Sequence, residues 1–231
     1  MSTSSLQYGS GSVISSRTGF TPTGSPRPSR PGQLDPGVLG GIPGGVDPEM
    51  VSEMSHASAA ALLDRVRHSE DAALVDRVLT LVDREGVDMI AELWSHAPAD
   101  TLPGILWRLY MLRSWMRSNR DLIARLWRVG EPIATTASAI AGVDQAPDAD
   151  DIARTADSIL TGAFTGDFAV ALERAGAFVD VVALGLRAEG QHWAERDATR
   201  AARLLHTAGN LMTTGHDFRH GAQLWRRGKL D

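Results

Sequence analysis

The chain has 231 residues, 43% of them hydrophobic and 22% charged, with a formal charge of −5 and no cysteine. These proportions suit a globular protein with one ordinary core, and no apolar run approaches the ~20 residues of a membrane-spanning helix. The missing cysteine excludes disulfides, zinc thiolate centres and cysteine nucleophiles.

The basic residues are 22 Arg and one Lys, Lys229. GC-rich codons produce that bias, which points to a high-GC bacterial source and makes arginine an ordinary basic residue here. Residues 1–46 are dominated by Ser, Thr, Gly and Pro. Such a segment buries too little apolar surface to offset its ordering entropy, so a disordered arm is expected. The first 16 residues hold no Lys or Arg and no apolar stretch. No secretory signal is therefore expected, and a cytoplasmic location is the default. The glycines of "GVLGGIPGG" (37–45) lack the Gly-Lys-Ser/Thr ending of a phosphate-binding loop.

From Asp47 onward the pattern is helical. Asp47, Pro48 and Glu49 have the form of a helix start, and a helix follows through 52–69. The next is expected over 70–86, with Val75, Val78, Leu79 and Val82 at helical spacing and Gly86 as its stop. Another is expected over 87–97. Then comes "LWRLYMLRSWMRSNRDLIARLWR" (106–128), "EPIATTASAIAG" (131–142) and an acidic connector. That connector has Asp150 or Asp151 capping the following helix and lacks the Gly and final Glu of a calcium loop. Helices over 150–162 and 167–190 are expected to be separated by the break "TGAFTG". The C-terminal part reads as one helix to Gly215 and a further segment from His216. No alternating β-branched run appears. The fold class is all-α: a bundle of about seven to eight helices over 47–231, behind the arm.

Charge is arranged in blocks: +2 over 1–46, −8 over 47–100, +5 over 101–130, −8 over 131–195 and +4 over 196–231. On one continuous helix over 106–128, Arg113, Arg117, Arg120 and Arg128 form a stripe beside an apolar face containing Trp115 and Trp127. Either these arginines pair with the acidic helices, or they contact phosphates and release counterions, or they meet a membrane surface. The pattern "RSNRD" can also break the helix, with Asn119 capping a second one. In the C-terminal block, Ala198, Ala201, Ala202, Leu205, Ala208 and Met212 make a narrow apolar stripe suited to close helix packing. Arg196, Arg200 and Arg203 recur beside it, and Trp225 stands next to Arg226 and Arg227. An aromatic flanked by cations suits docking of a partner or a nucleic acid.

His216 and His220 stand at i and i+4, a workable metal-ligand spacing, with Asp217 between them and His206 ten residues upstream. The His216–Asp217 pair resembles the all-helical metal-dependent phosphohydrolases that carry a His…His-Asp…Asp pattern. In that family more helices and a later Asp follow the pair, whereas 14 residues follow Asp217 here, ending in Asp231. No Gly-x-Ser-x-Gly, His-Glu-x-x-His or Ser-x-x-Lys signature is present. No cofactor is implied.

The expected function is a non-enzymatic interaction or scaffold protein, self-associating or docking a protein partner through alternating acidic and basic helical faces. The alternatives are a nucleic-acid binder, using the arginines of 106–128 and the basic C-terminus, and a metal-dependent helical hydrolase.

Overall fold

A computed structural model describes residues 47–68, 73, 77, 93–143 and 146–231, and among them there is no strand. The arm expected over 1–46, the helix expected over 70–86 and most of that over 87–97 lie outside the described residues. Seven α-helices have their bounds within the described residues: α1 Pro48–Arg67, α2 Leu102–Ser118, α3 Arg120–Gly130, α4 Thr135–Ala141, α5 Ala149–Thr165, α6 Phe168–Trp193 and α7 Ala198–Arg226. A turn of 3₁₀ helix, Glu131–Ile133, leads from α3 towards α4.

Helix starts are set by short side chains acting locally. Thr101 Oγ1 accepts from the Gly104 N–H at 3.3 Å and opens α2. Asp148 and Asp151 form a reciprocal capping box at α5: the Asp151 N–H donates to Asp148 Oδ1 at 2.7 Å, and the Asp148 N–H to Asp151 Oδ2 at 2.8 Å. The cap itself is thus Asp148, upstream of the Asp150 or Asp151 expected. Those backbone donors hold the Asp148 carboxyl below its ordinary range. Asp167 caps α6 through the Ala169 and Val170 N–H groups, and Asp197 caps α7 through the Arg200 N–H.

The helix expected over 106–128 is broken at Asn119 (φ −124°, ψ 31°). Its side chain caps nothing in α3. Its N–H and Nδ2 both donate to the Trp115 carbonyl, each at 3.0 Å, and so close the end of α2. The break between α5 and α6 is shorter than expected, with α5 continuing through "TGAFT" so that only Gly166 and Asp167 separate the two. Helix α7 runs unbroken through Gly215, where a stop was expected.

The core is built on α6. Its apolar residues do not keep to one stripe: Phe168, Leu172, Phe178, Val179, Val181, Val182 and Leu186 are all buried, as expected of a helix covered on most sides. It packs most extensively on α7 and also meets α3, α4 and α5. Two of these crossings are glycine-mediated. A Cβ on Gly185 would lie 2.1 Å from the Leu126 carbonyl oxygen, and one on Gly130 would lie 2.0 Å from that of Val181, so α3 and α6 meet backbone to backbone. A Cβ on Gly215 would lie 2.7 Å from Asp180 Oδ1 and 3.0 Å from Val179 Cγ2. That contact is why α7 needs its glycine there without stopping. It leaves room for the Asp180 carboxylate, which pairs with Arg219 inside the hairpin. Burial pushes the Asp180 carboxyl above its ordinary range, and Arg219 opposes the shift.

Aromatics fill the remaining space. Trp127 stacks on Phe178 with ring centroids 5.2 Å apart, and Trp94, Tyr110 and Phe164 form a chain at 6.4 and 6.2 Å. Trp94 Nε1 also donates to Ser58 Oγ at 3.0 Å, tying the 93–101 segment to α1. The Tyr110 hydroxyl titrates well above its ordinary value because burial disfavours the phenolate.

Candidate interaction surface

Three of the six arginines of the first basic block are engaged by α5. Arg113 is only 5% exposed, and its Nε donates to Asp157 Oδ1 at 2.7 Å. One turn on, Arg117 Nη1 donates to the other oxygen, Oδ2, at 2.7 Å. One carboxylate therefore bridges two guanidinium groups that the amphipathic pattern had placed on one stripe. Arg120 reaches Asp150 at 3.1 Å, Arg108 meets Asp217 at 3.3 Å and Arg125 meets Glu189 at 3.2 Å. Arg128 is exposed, with no ion pair among the described residues.

The second block is divided. Arg226 makes a bidentate bond to Glu173 at 2.5 and 3.0 Å, which holds the Glu173 carboxyl below and the Arg226 guanidinium above their ordinary values. Trp225 is half-buried against Phe168, ring centroids 4.9 Å apart, with the Arg67 guanidinium 5.0 Å from its ring. It pins the C-terminal segment onto the bundle. At the opposite end of α7, Arg200 lies 3.9 Å over the Trp193 ring and Arg196 lies 2.7 Å from the His192 ring nitrogen. Arg203 and Arg227 are exposed, with no ion pair among the described residues.

The four residues considered for a metal do not converge. His206 and His216 are ten residues apart on one straight helix, about 15 Å along its axis. Asp217 is turned toward Arg108 on α2. His216 and His220 present parallel exposed rings with centroids 6.2 Å apart. Among the described residues no group of three or more His, Cys, Asp or Glu is placed to hold a metal ion.

The apolar stripe of α7 divides in a way spacing alone did not distinguish. Ala201 and Ala208 face the bundle and are buried. Ala202, Leu205 and Met212 lie along the edge of that contact, with Leu205 42% and Met212 41% exposed, Leu205 resting over Gly190 of α6 and Met212 beside Arg187. On the helical wheel Ala202, Leu205, Gly209 and Met212 follow one another at three- and four-residue steps along one outward line. The signal was legible in that heptad-like spacing. What could not be read was which of two adjacent apolar lines another helix would cover.

Elsewhere, an open groove of about 360 Å³ lies between α2 and α7, lined by Trp107, Met111, Trp115 and Leu211. A wider one of about 700 Å³ runs beside α1, lined by Ala60, Leu63, Arg67 and Leu102. The arrangement offers apolar surface and organised cations; the contact of Ser95 Oγ with His96 Nδ1 at 3.0 Å is an exposed one between adjacent residues. Comparison with protein-family models, with curated proteins and with solved structures finds no match for this chain.

Proposed function

We propose that this chain is a non-enzymatic helical interaction module that docks a protein partner on the outward face of α7. The observation that carries the reading is the exposed apolar line Ala202–Leu205–Met212, which flanks the face of α7 that α6 covers. Exposed large apolar side chains in a row are costly to leave in water and mark contact surfaces more often than isolated ones do. The arginines of α2 and the start of α3, which a phosphate-binding helix would need free, are largely taken up by Asp157 and Asp150. Among the described residues no helix is long and apolar enough to cross a membrane, and we place the module in the bacterial cytoplasm.

A photo-crosslinking side chain introduced at Met212 in the full chain tests this in cells. A discrete protein adduct is expected from position 212, with none from the exposed Ala139 on α4. The adduct should disappear in Leu205→Glu while the thermal midpoint is kept. Equal yields from both positions, or none at 212, would remove the reading.

Arg203, with Arg196 and Arg200 beside Trp193, favours nucleic acid as a second reading. Anisotropy titration of the full chain against labelled duplex DNA and single-stranded RNA at about 50 and 200 mM salt distinguishes the two, because phosphate contacts weaken steeply over that interval. Tight binding at low salt that is lost on Arg196→Gln, Arg200→Gln and Arg203→Gln would replace the protein reading with this one.

A further inference from the structure

Arg174 on α6 departs from the pattern of the other sheltered arginines. Four of the described arginines are not exposed: Arg108, Arg113, Arg174 and Arg219. Arg108 pairs with Asp217, Arg113 with Asp157 and Arg219 with Asp180. Arg174 has no carboxylate partner among the described residues: its Nε donates to the Ala141 carbonyl and its Nη1 to Ser158 Oγ, each at 3.3 Å. Both acceptors are neutral and both bonds are long. Nη2 makes no hydrogen bond among the described residues and stands 3.6 Å from where a Cβ on Gly142 would lie. A guanidinium drawn partly out of water favours an anion beside it, because neutral acceptors offset only part of its lost hydration.

The same place holds a second unsatisfied group. An open cleft of about 180 Å³, where α5 and α6 meet the end of α4, is lined by Gly142, Asp151, Arg154, Thr155, Ser158 and Arg174. Threonines elsewhere in the helices turn the hydroxyl back onto the carbonyl four residues earlier, as Thr165, Thr207 and Thr214 do. Thr155 is only 9% exposed, yet it makes no such bond, nor any other side-chain hydrogen bond among the described residues. A sheltered hydroxyl without a partner is costly, and a ligand oxygen meeting it would offset that cost.

The charges say what kind of ligand fits. Asp151, the acid lining the cleft, is committed twice: Oδ2 accepts the Asp148 N–H, and Oδ1 pairs with Arg154. Arg174 therefore leaves the cleft net positive, with two hydroxyl groups beside it. A phosphate group carries close to two charges near neutral pH and presents three or more oxygens around one centre. That matches guanidinium and hydroxyl donors from two helices better than a planar carboxylate does. The small volume admits the group itself and leaves the rest of a larger ligand in solvent. We infer that this cleft is a phosphate-binding site, taking inorganic phosphate or the phosphoryl group of a small monoester through Arg174, Arg154, Thr155 and Ser158. The site is independent of the docking face on α7.

Calorimetric titration of the full chain with inorganic phosphate, O-phosphoserine and acetate tests this, with ionic strength held constant by chloride. At about pH 7.5 the phosphate is mostly dianionic. A Kd of about 0.1–1 mM is expected for phosphate, with acetate at least about tenfold weaker. Tighter binding of phosphoserine than of phosphate would assign the site to a monoester, and the reverse to the free ion. Arg174→Gln should weaken phosphate by about tenfold or more, whereas Arg65→Gln on α1 should leave it unchanged. Thr155→Val separates a ligand role from a structural one. It removes a hydroxyl that bonds to nothing, so the thermal midpoint should hold or rise while phosphate binds about fivefold more weakly.

Phosphate affinity kept in Thr155→Val, or acetate bound as tightly as phosphate, would overturn the site. So would the absence of binding up to about 20 mM phosphate. A midpoint lowered by Thr155→Val would show that the hydroxyl already serves the fold, and would overturn it as well.

Discussion

Helices α6 and α7 form one hairpin yet spend their small residues differently. Along α6, Gly176, Gly185 and Gly190 each face another helix at short range, and apolar residues are buried on most sides. Along α7, Gly215 and Gly221 are used in the same way, while Gly209 two turns earlier faces open space beside exposed Leu205 and Met212. A glycine in a helix is thus a close contact when a neighbour is present and a vacancy when none is. The contrast within α7 separates the part of the helix that serves folding from the part left for something else.

That contrast can be broken most severely at Gly185. The Cβ of Gly185→Ala would stand 2.1 Å from the Leu126 carbonyl oxygen, a backbone atom that cannot turn away. Chemical denaturation should show a loss of about 3 kcal/mol or more, the upper range of overpacking costs. An unchanged midpoint would mean that α3 and α6 do not touch there.

The same substitution at two positions of α7 should have opposite signs. Gly215→Ala pushes against Asp180 and Val179 and should cost about 1–3 kcal/mol. Gly209→Ala meets nothing and should gain about 0.5–1 kcal/mol from helix propensity. Equal signs in thermal unfolding would erase the distinction between the two halves of the helix.

A similar comparison holds for the arginines that share Asp157. Arg113 is buried and Arg117 is substantially exposed. Arg113→Gln should therefore cost about 1–3 kcal/mol, because a half-buried carboxylate loses its shielded partner. Arg117→Gln should cost at most about 1 kcal/mol, the range of exposed ion pairs. Equal losses would indicate that burial does not set the strength of this bridge.

The smallest effect concerns acid. Glu173 has its carboxyl held below the ordinary value by Arg226. Its contribution is therefore present above the unfolded value near pH ~4.3 and is lost as pH falls through the lower folded value. Asp180 is shifted the other way by burial, so its contribution to stability is greatest below the unfolded value and declines as pH rises through the folded one. Unfolding curves between about pH 6 and 3 should fall less steeply in Glu173→Gln and more steeply in Asp180→Asn than in the parent. Parallel curves for all three would contradict both directions.

Sequence periodicity was sufficient for the all-helical class and for several helix boundaries, because these depend on bonds spanning three or four residues. Asp47–Pro48 stands at the start of α1 as expected, and the cap of α5 is Asp148, within a turn of the Asp150 or Asp151 expected; Asp167 and Asp197, not read as caps, open α6 and α7 in the same local way. Spacing also drew Arg113 and Arg117 onto one stripe, which the structure keeps by joining them to a single carboxylate.

Tertiary structure alone decided three further matters. Asp157 lies 44 residues from Arg113 and Glu173 lies 53 from Arg226, so no local pattern could choose these partners from the many acids on either side. Gly215 reads as a helix stop until Asp180 and Val179 are seen against it. Whether Ala201 and Ala208 or Leu205 and Met212 turn inward depends on where α6 lies relative to α7, since neighbouring lines on one helix differ in burial only through what packs against them.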